Sequence, residues 1–207
     1  MSIDVLTGTV RPQHTQRIVA EHVRAIGPTL EALEREAPRI ARWAAQLARR
    51  LEAGARLLVA GNGGSAAEAQ HLSAEFVGRF REDRRPYAAI ALHCDSSAVT
   101  AIGNDYGFDE VFARQVHAHA HPGDVVLLLS TSGASANLLR AARAAAEVGA
   151  ISWALTGPAP NPLASACDDV IALPGAAASV QEAELVAVHA LCIAFDELVG
   201  VHERTGS

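Results

Sequence analysis

The chain has 207 residues, 50% of them hydrophobic and only 19% charged, with a formal net charge of -6. That balance fits one globular domain with or without an appendage and excludes a disordered chain. An acidic surface with no basic stripe argues against nucleic acid as a partner, and the mixed-sign stretch "RFREDRR" (79–85) reads as a solvated loop.

The N-terminal "MSIDVLTGTVRPQ" lacks the basic and apolar regions of a secretion signal. Residues 12–53 carry apolar side chains at Leu30, Leu33, Ile40, Trp43, Leu47 and Leu51, close to the helical period, with Pro28 and Pro38 marking helix starts or breaks. From residue 55 the pattern changes. Short apolar runs, "RLLVA" (56–60), "YAAIAL" (87–92), "DVVLLLS" (124–130), "AISWALT" (150–156) and "DVIAL" (169–173), predict five strands. Helical patterns lie between them, near 65–80, 109–120 and 135–148, with weaker ones near 96–102 and 162–166, and a long last helix covers 179–199. Strands apolar throughout and separated by helices predict an α/β fold with a parallel sheet covered on both faces. No apolar stretch reaches the roughly 20 residues of a membrane span, so no membrane partner is expected. Cys94, Cys167 and Cys192 are odd in number and widely spaced, which predicts reduced thiols and a cytoplasmic protein.

Ligands of open parallel sheets bind beyond the carboxyl ends of the strands. Strand one ends in Gly61-Asn62-Gly63-Gly64-Ser65, and strand three in Ser130-Thr131-Ser132-Gly133-Ala134-Ser135; each opens a helix. Glycines allow close approach of backbone N–H groups, and a helix N-terminus favours an anion. A tight turn explains the first loop equally well, and "GNGGSA" also satisfies a loose dinucleotide fingerprint with Asp95 near the end of strand two. Asp95 lies further on than the usual ~20 residues, however, and no Walker lysine follows the glycines. Two anion-type loops on one cleft favour a sugar phosphate and no nucleotide cofactor.

His71 and Glu75 are four residues apart and share a helix face. They suit a structural hydrogen bond, an acid/base pair or half of a metal site. Gln181 and His189 lie on the last helix, His189 among Leu185, Val188 and Cys192, where a core histidine is the plain alternative. One metal joins Gln181 and His189 only if both side chains stretch toward each other, and two subunits could supply the set. His117, His119 and His121 look like a metal comb, but alternate helical residues point in different directions, so exposed histidines at a helix C-terminus are expected there.

With these residues in hand, the chain resembles the phosphoheptose isomerases of the sugar isomerase (SIS) superfamily. The motifs are "GNGGSAAEAQH" (61–71), residues 74–80, "TAIGNDYGF" (100–108), "STSGASAN" (130–137) and "QE" (181–182) followed by His189. The resemblance implies a flavodoxin-like strand order, an N-terminal helical segment (1–54) serving oligomerisation, and a SIS domain over 55–207. It implies a homotetramer with active sites between subunits. It implies conversion of sedoheptulose 7-phosphate to D-glycero-D-manno-heptose 7-phosphate through an enediol. By motif position Asn62, Gly63, Gly64, Ser65, Asn104, Asp105 and Gln181 line the substrate, and Ser130, Thr131, Ser132 and Ser135 hold its phosphate. Glu75 is the base, also touching substrate, with His189 its partner. One zinc ion per site is implied on His71, Glu75, Gln181 and His189. The chain departs from some members at Ala178, where an acidic residue stands three positions before the motif glutamine. Non-catalytic members, sugar-phosphate regulators or a replication-initiator-binding protein, are the alternative; they have no need for Glu75 and His189 together.

Overall fold

The computed structural model describes residues 12–200. The helical pattern at the start is divided into α1 (Pro12–Ala25), α2 (Gly27–Arg35) and α3 (Ala37–Glu52). Pro28 and Pro38 sit in the first turns of α2 and α3, where a missing N–H leaves no helical bond unmade. Next come β1 (Leu57–Ala60), α4 (Gly64–Val77), β2 (Ala89–Ala91) and α5 (Ser96–Tyr106). A 3₁₀ turn (Phe108–Glu110), α6 (Ala113–His119), β3 (Val125–Ser130), α7 (Ala136–Glu147) and β4 (Ile151–Thr156) continue the chain, which closes with α8 (Pro162–Ala166), β5 (Asp169–Ala172) and α9 (Ala177–Val199). The helix expected over 109–120 is therefore a 3₁₀ turn and a shorter helix.

All five strands are parallel, in the order β2-β1-β3-β4-β5. Alternate residues point to opposite faces. Leu57, Val59, Val125, Leu127, Leu129, Trp153 and Leu155 pack under α3, α4 and α9. Leu58, Ala60, Val126, Leu128 and Ala154 pack under α6 and α7 on the other face. The chain leaves β1 to one side for β2 and to the other for β3. The crevice at their carboxyl ends is the switch point at which such sheets receive ligands.

The N-terminal helices are not peripheral to this core. Ile40, Trp43, Leu47 and Leu51 of α3 are buried. The Trp43 ring stacks on Trp153 of β4, 4.7 Å apart and 8° from parallel, and its Nε1 donates to Asp169 at 2.8 Å. Arg39 donates to the other oxygen of Asp169 at 2.6 Å. So α3 belongs to the helix layer on one face of the sheet. The first 11 and last 7 residues of the two expected segments, and with them the N-terminal stretch expected to lack a secretion signal, lie outside the described residues.

Two sequence expectations change here. By length and composition α9 would suffice to cross a membrane, but 50% of that apolar window is buried against the sheet and α3, as a core helix requires. The stretch 79–85 is not wholly solvated either. The Arg84 side chain is 1% exposed and pairs with Asp196 of α9 at 2.7 Å. It also donates to the carbonyls of Glu75 and Phe76, at 2.7 and 3.0 Å, at the end of α4. A helix end leaves carbonyls without partners, and a guanidinium with five donors can serve several at once.

Candidate active site

The β1–α4 loop opens the site. Gly63 has φ +56, which a side chain rarely adopts, and a Cβ on Gly64 would fall 1.3 Å from Nε2 of Gln181. The second glycine thus lets α9 lay the Gln181 amide directly on the first turn of α4. The loop is tied across the crevice as well. Asn62 and Asn137, the latter in the first turn of α7, exchange two amide hydrogen bonds at 3.0 and 2.9 Å. The loops after β1 and β3 are therefore one unit.

In the β3–α7 loop, Ser130 is buried. Its hydroxyl accepts from the Gly133 N–H at 3.1 Å, and its carbonyl accepts from the Thr156 hydroxyl at 2.7 Å. The Ser132 hydroxyl is exposed and accepts weakly from Ala134 N–H at 3.3 Å. Thr131 and Ser135 are half-buried, and Ser135 is the N-cap of α7 with no side-chain cap bond of its own. The free hydroxyls and amides here lie at a helix N-terminus, which suits a phosphate.

Two turns into α4 comes a cluster of titratable side chains. His71 Nε2 lies 3.2 Å from Glu75 Oε1 and 2.9 Å from His189 Nε2 of α9. His71, Glu75 and His189 each offer one donor atom, all within 4.8 Å of one another; among the described residues they form the one such group of three. Tetrahedral zinc with bonds of 2.0–2.1 Å sets its ligands about 3.3 Å apart. The two His71 contacts need only slight opening to reach that, and Glu75 and His189 lie within 4.8 Å of each other. One ring nitrogen carries at most one proton, so His71 Nε2 cannot satisfy both neighbours by donating. A cation among the three would satisfy all of them, so the donor set fits a zinc ion. Gln181 stands at the Gly64 end of α4, two turns before His71. His189 is half-buried, its ring 5.2 Å from that of Phe80, and it faces His71 of the same chain.

Some expected residues stand elsewhere. The Ser65 side chain points inward and donates to Glu184 Oε2 at 2.9 Å. Asn104 and Asp105 are exposed at the end of α5 and bond to each other at 2.8 Å; no described hydrogen bond joins them to the cluster. Asp95 caps α5 by accepting from Ala98 N–H at 3.0 Å, a role that accounts for it without a ribose. Ala178 is exposed in the first turn of α9. His117 pairs with Glu147 at 2.9 Å in the last turn of α6.

Sequence reasoning missed Glu68, Glu184, Asn137 and Arg84. For Glu184 there was a signal: it is a carboxylate in the apolar run of the last helix, and it is fully buried. Burial first, then Glu68 beside it, pushes its carboxyl up to about 9. Burial likewise raises that of Glu68.

A family model described as the SIS domain matches residues 21–157. A phosphoheptose isomerase of Streptomyces coelicolor is 58% identical over 179 residues, 86% of this chain and 78% of the relative. A solved phosphoheptose isomerase from Francisella tularensis superposes with a TM-score of 0.83 at 34% identity, over 89% of this chain and 98% of that one. One from Neisseria gonorrhoeae gives 0.81 at 38% identity, over 88% and 98%. This chain belongs to the phosphoheptose isomerase family of SIS-domain proteins.

Proposed function

We propose that the crevice binds sedoheptulose 7-phosphate and isomerises it to D-glycero-D-manno-heptose 7-phosphate. The carrying observation is the His71–Glu75–His189 cluster, formed where α9 meets the helix that one ligand loop opens, with the second, hydroxyl-rich loop bonded to the first. Relatives up to 58% identical bearing the isomerase name support the reading. A sugar-binding regulator would have no use for a carboxylate and imidazole held this way.

The reaction moves a proton from C1 to C2 and makes C1 the carbonyl carbon. Glu75 takes the C1 proton as the enediol forms and returns it to C2. His189 carries a proton between the two oxygens, from O1 to O2. The amides and hydroxyls around Thr131, Ser132 and Ser135 hold the phosphate at the other end, so that the carbon chain lies along the Asn62–Gly64 backbone. His71, Glu75 and His189 would hold zinc, which would supply polarisation of the substrate oxygens; Gln181, two turns away at Gly64, stands apart from the three.

The working unit is a homotetramer with its sites between subunits, in the cytoplasm. Leu185, Val186 and Ile193 are 38%, 44% and 39% exposed, and by helical spacing they flank His189 on one face of α9. An apolar face around a reacting histidine is suited to cover by a second copy. The free thiols of Cys94, Cys167 and Cys192 suit a reducing compartment.

Incubation of purified protein with sedoheptulose 7-phosphate should yield an aldose phosphate. Glu75→Gln should abolish most turnover and leave binding of the sugar phosphate in place, because the amide accepts no proton. Turnover near the parent rate in that variant would remove Glu75 from the base role. Zinc should be found in protein purified without added metal, and a chelator should lower activity with little change in melting temperature. Full activity in metal-free protein would leave the acid/base pair acting alone.

A further inference from the structure

Glu184 occupies a position that the isomerisation chemistry does not use. It is 0% exposed, on the inner face of α9. Its Oε2 accepts from the Ser65 hydroxyl in the β1–α4 loop, and the backbone amide of Ser130, at the end of β3, faces it too. Glu68, one turn into α4 and 8% exposed, meets it carboxyl to carboxyl. No cationic side chain is among the groups that set its charge state. One oxygen of each residue, Glu68 Oε2 and Glu184 Oε1, is buried and has no protein donor. Two buried carboxylates cannot both stay charged at contact, and two orphan acceptors need a donor. A single proton shared between them meets both conditions.

We infer that Glu184 is a positioning residue: through a proton-sharing contact with Glu68 and a hydrogen bond from Ser65, it fixes α9 against the two ligand loops and so holds the phosphate cradle at a set distance from His71, Glu75 and His189. One residue touches the start of α4, the end of β3 and the helix that carries His189. The inference rests on reading the two loops as a sugar-phosphate cradle.

Three variants, Glu184→Gln, Glu184→Leu and the double Glu68→Leu/Glu184→Leu, test it. The amide of Glu184→Gln can donate to Glu68 and accept from Ser65. Leucine fills similar volume but does neither, and leaves Glu68 buried without a partner. Glu184→Leu should raise KM for sedoheptulose 7-phosphate about tenfold or more, with a smaller change in kcat, the size expected for losing a buried hydrogen bond to a charged group. Glu184→Gln should rescue KM to within about threefold of the parent. The double variant removes the buried charge and should recover the melting temperature lost in Glu184→Leu without recovering KM. Recovery of KM along with stability would show a purely structural role and overturn the inference. So would an unchanged KM in Glu184→Leu, or a loss in Glu184→Gln equal to that in Glu184→Leu. Calorimetric titration of inorganic phosphate into the same proteins gives a readout independent of turnover. Parent protein that binds phosphate with the same dependence on residue 184 yet makes no aldose would sink the isomerase reading alone. Equal phosphate affinity in all variants would sink the positioning role.

Discussion

Four hydroxyls in one loop do not have one job. The Ser130 hydroxyl is buried and accepts from the Gly133 N–H, so it shapes the turn. Thr131, Ser132 and Ser135 are half-buried or exposed and keep hydroxyls for a ligand. Ser130→Ala should therefore lower the melting temperature as well as phosphate affinity, because a backbone donor loses its acceptor. Thr131→Ala, Ser132→Ala and Ser135→Ala should leave stability alone and weaken binding of the phosphorylated sugar, not of the free sugar. Binding measured with both sugars, beside thermal melts, checks this; equal losses for both would mean that the loop does not hold phosphate. The carboxyl pair makes a separate prediction at this scale. Glu184 has an ordinary value near 4.5 unfolded and is pushed up to about 9 when folded, by burial first and by Glu68. The folded chain then binds the proton more tightly than the unfolded one. Its contribution to stability is complete below the unfolded value and drains away as pH rises toward the folded one. Glu184→Gln does not titrate, so its melting temperature should gain on the parent between about pH 5 and pH 9. A constant difference across that range would assign the proton elsewhere.

At the scale of elements, α4 carries His71 and Glu75, the proposed reacting side chains, and is fastened at both ends. Gln181 covers its first turn, and Arg84 holds its last carbonyls, those of Glu75 and Phe76, while pairing with Asp196. The same guanidinium lies 5.7 Å above the Phe76 ring and 5.5 Å above Phe195. Glu75 thus inherits its place from a buried ion pair. Arg84→Leu strands the Asp196 carboxylate and two carbonyls in the core. It should cost about 3–5 kcal/mol in denaturant unfolding, the usual range when one partner of a buried pair is removed. A cost below about 1 kcal/mol, the range of exposed pairs, would mean that the pair is solvated in solution.

For the whole molecule, the sheet brings together what the chain separates. The order β2-β1-β3 puts the loops after β1 and β3 side by side, and α9 crosses behind both to meet α4. One face of that crossing remains apolar and exposed, at Leu185, Val186 and Ile193. If the proposed tetramer uses this face, Val186→Glu should shift it toward smaller species in sedimentation and reduce activity, while the circular dichroism of the fold persists. An unchanged oligomer would move the interface off α9.

Much of this was legible in the chain. Apolar runs of strand length separated by helical patterns specified the α/β class and all five strands, because a strand buried on both faces must be apolar throughout. Glycine and hydroxyl loops at strand ends located the crevice, since the ligand end of such a sheet follows from its topology. The spacing of His71 and Glu75 put them on one helix face. What the sequence could not determine was which distant groups meet. His189 is 118 residues from His71, and Ser65 is 119 from Glu184. Periodicity speaks only of neighbours within a few turns. It marks His189 and Glu184 as polar residues on an apolar helix and stops there. Packing of α9 on α4 decided that one joins the reacting cluster and the other a buried carboxyl pair. It decided equally that Arg84, in a stretch composed like a surface loop, lies inside, because the end of a buried helix needs donors that only a neighbouring side chain can bring.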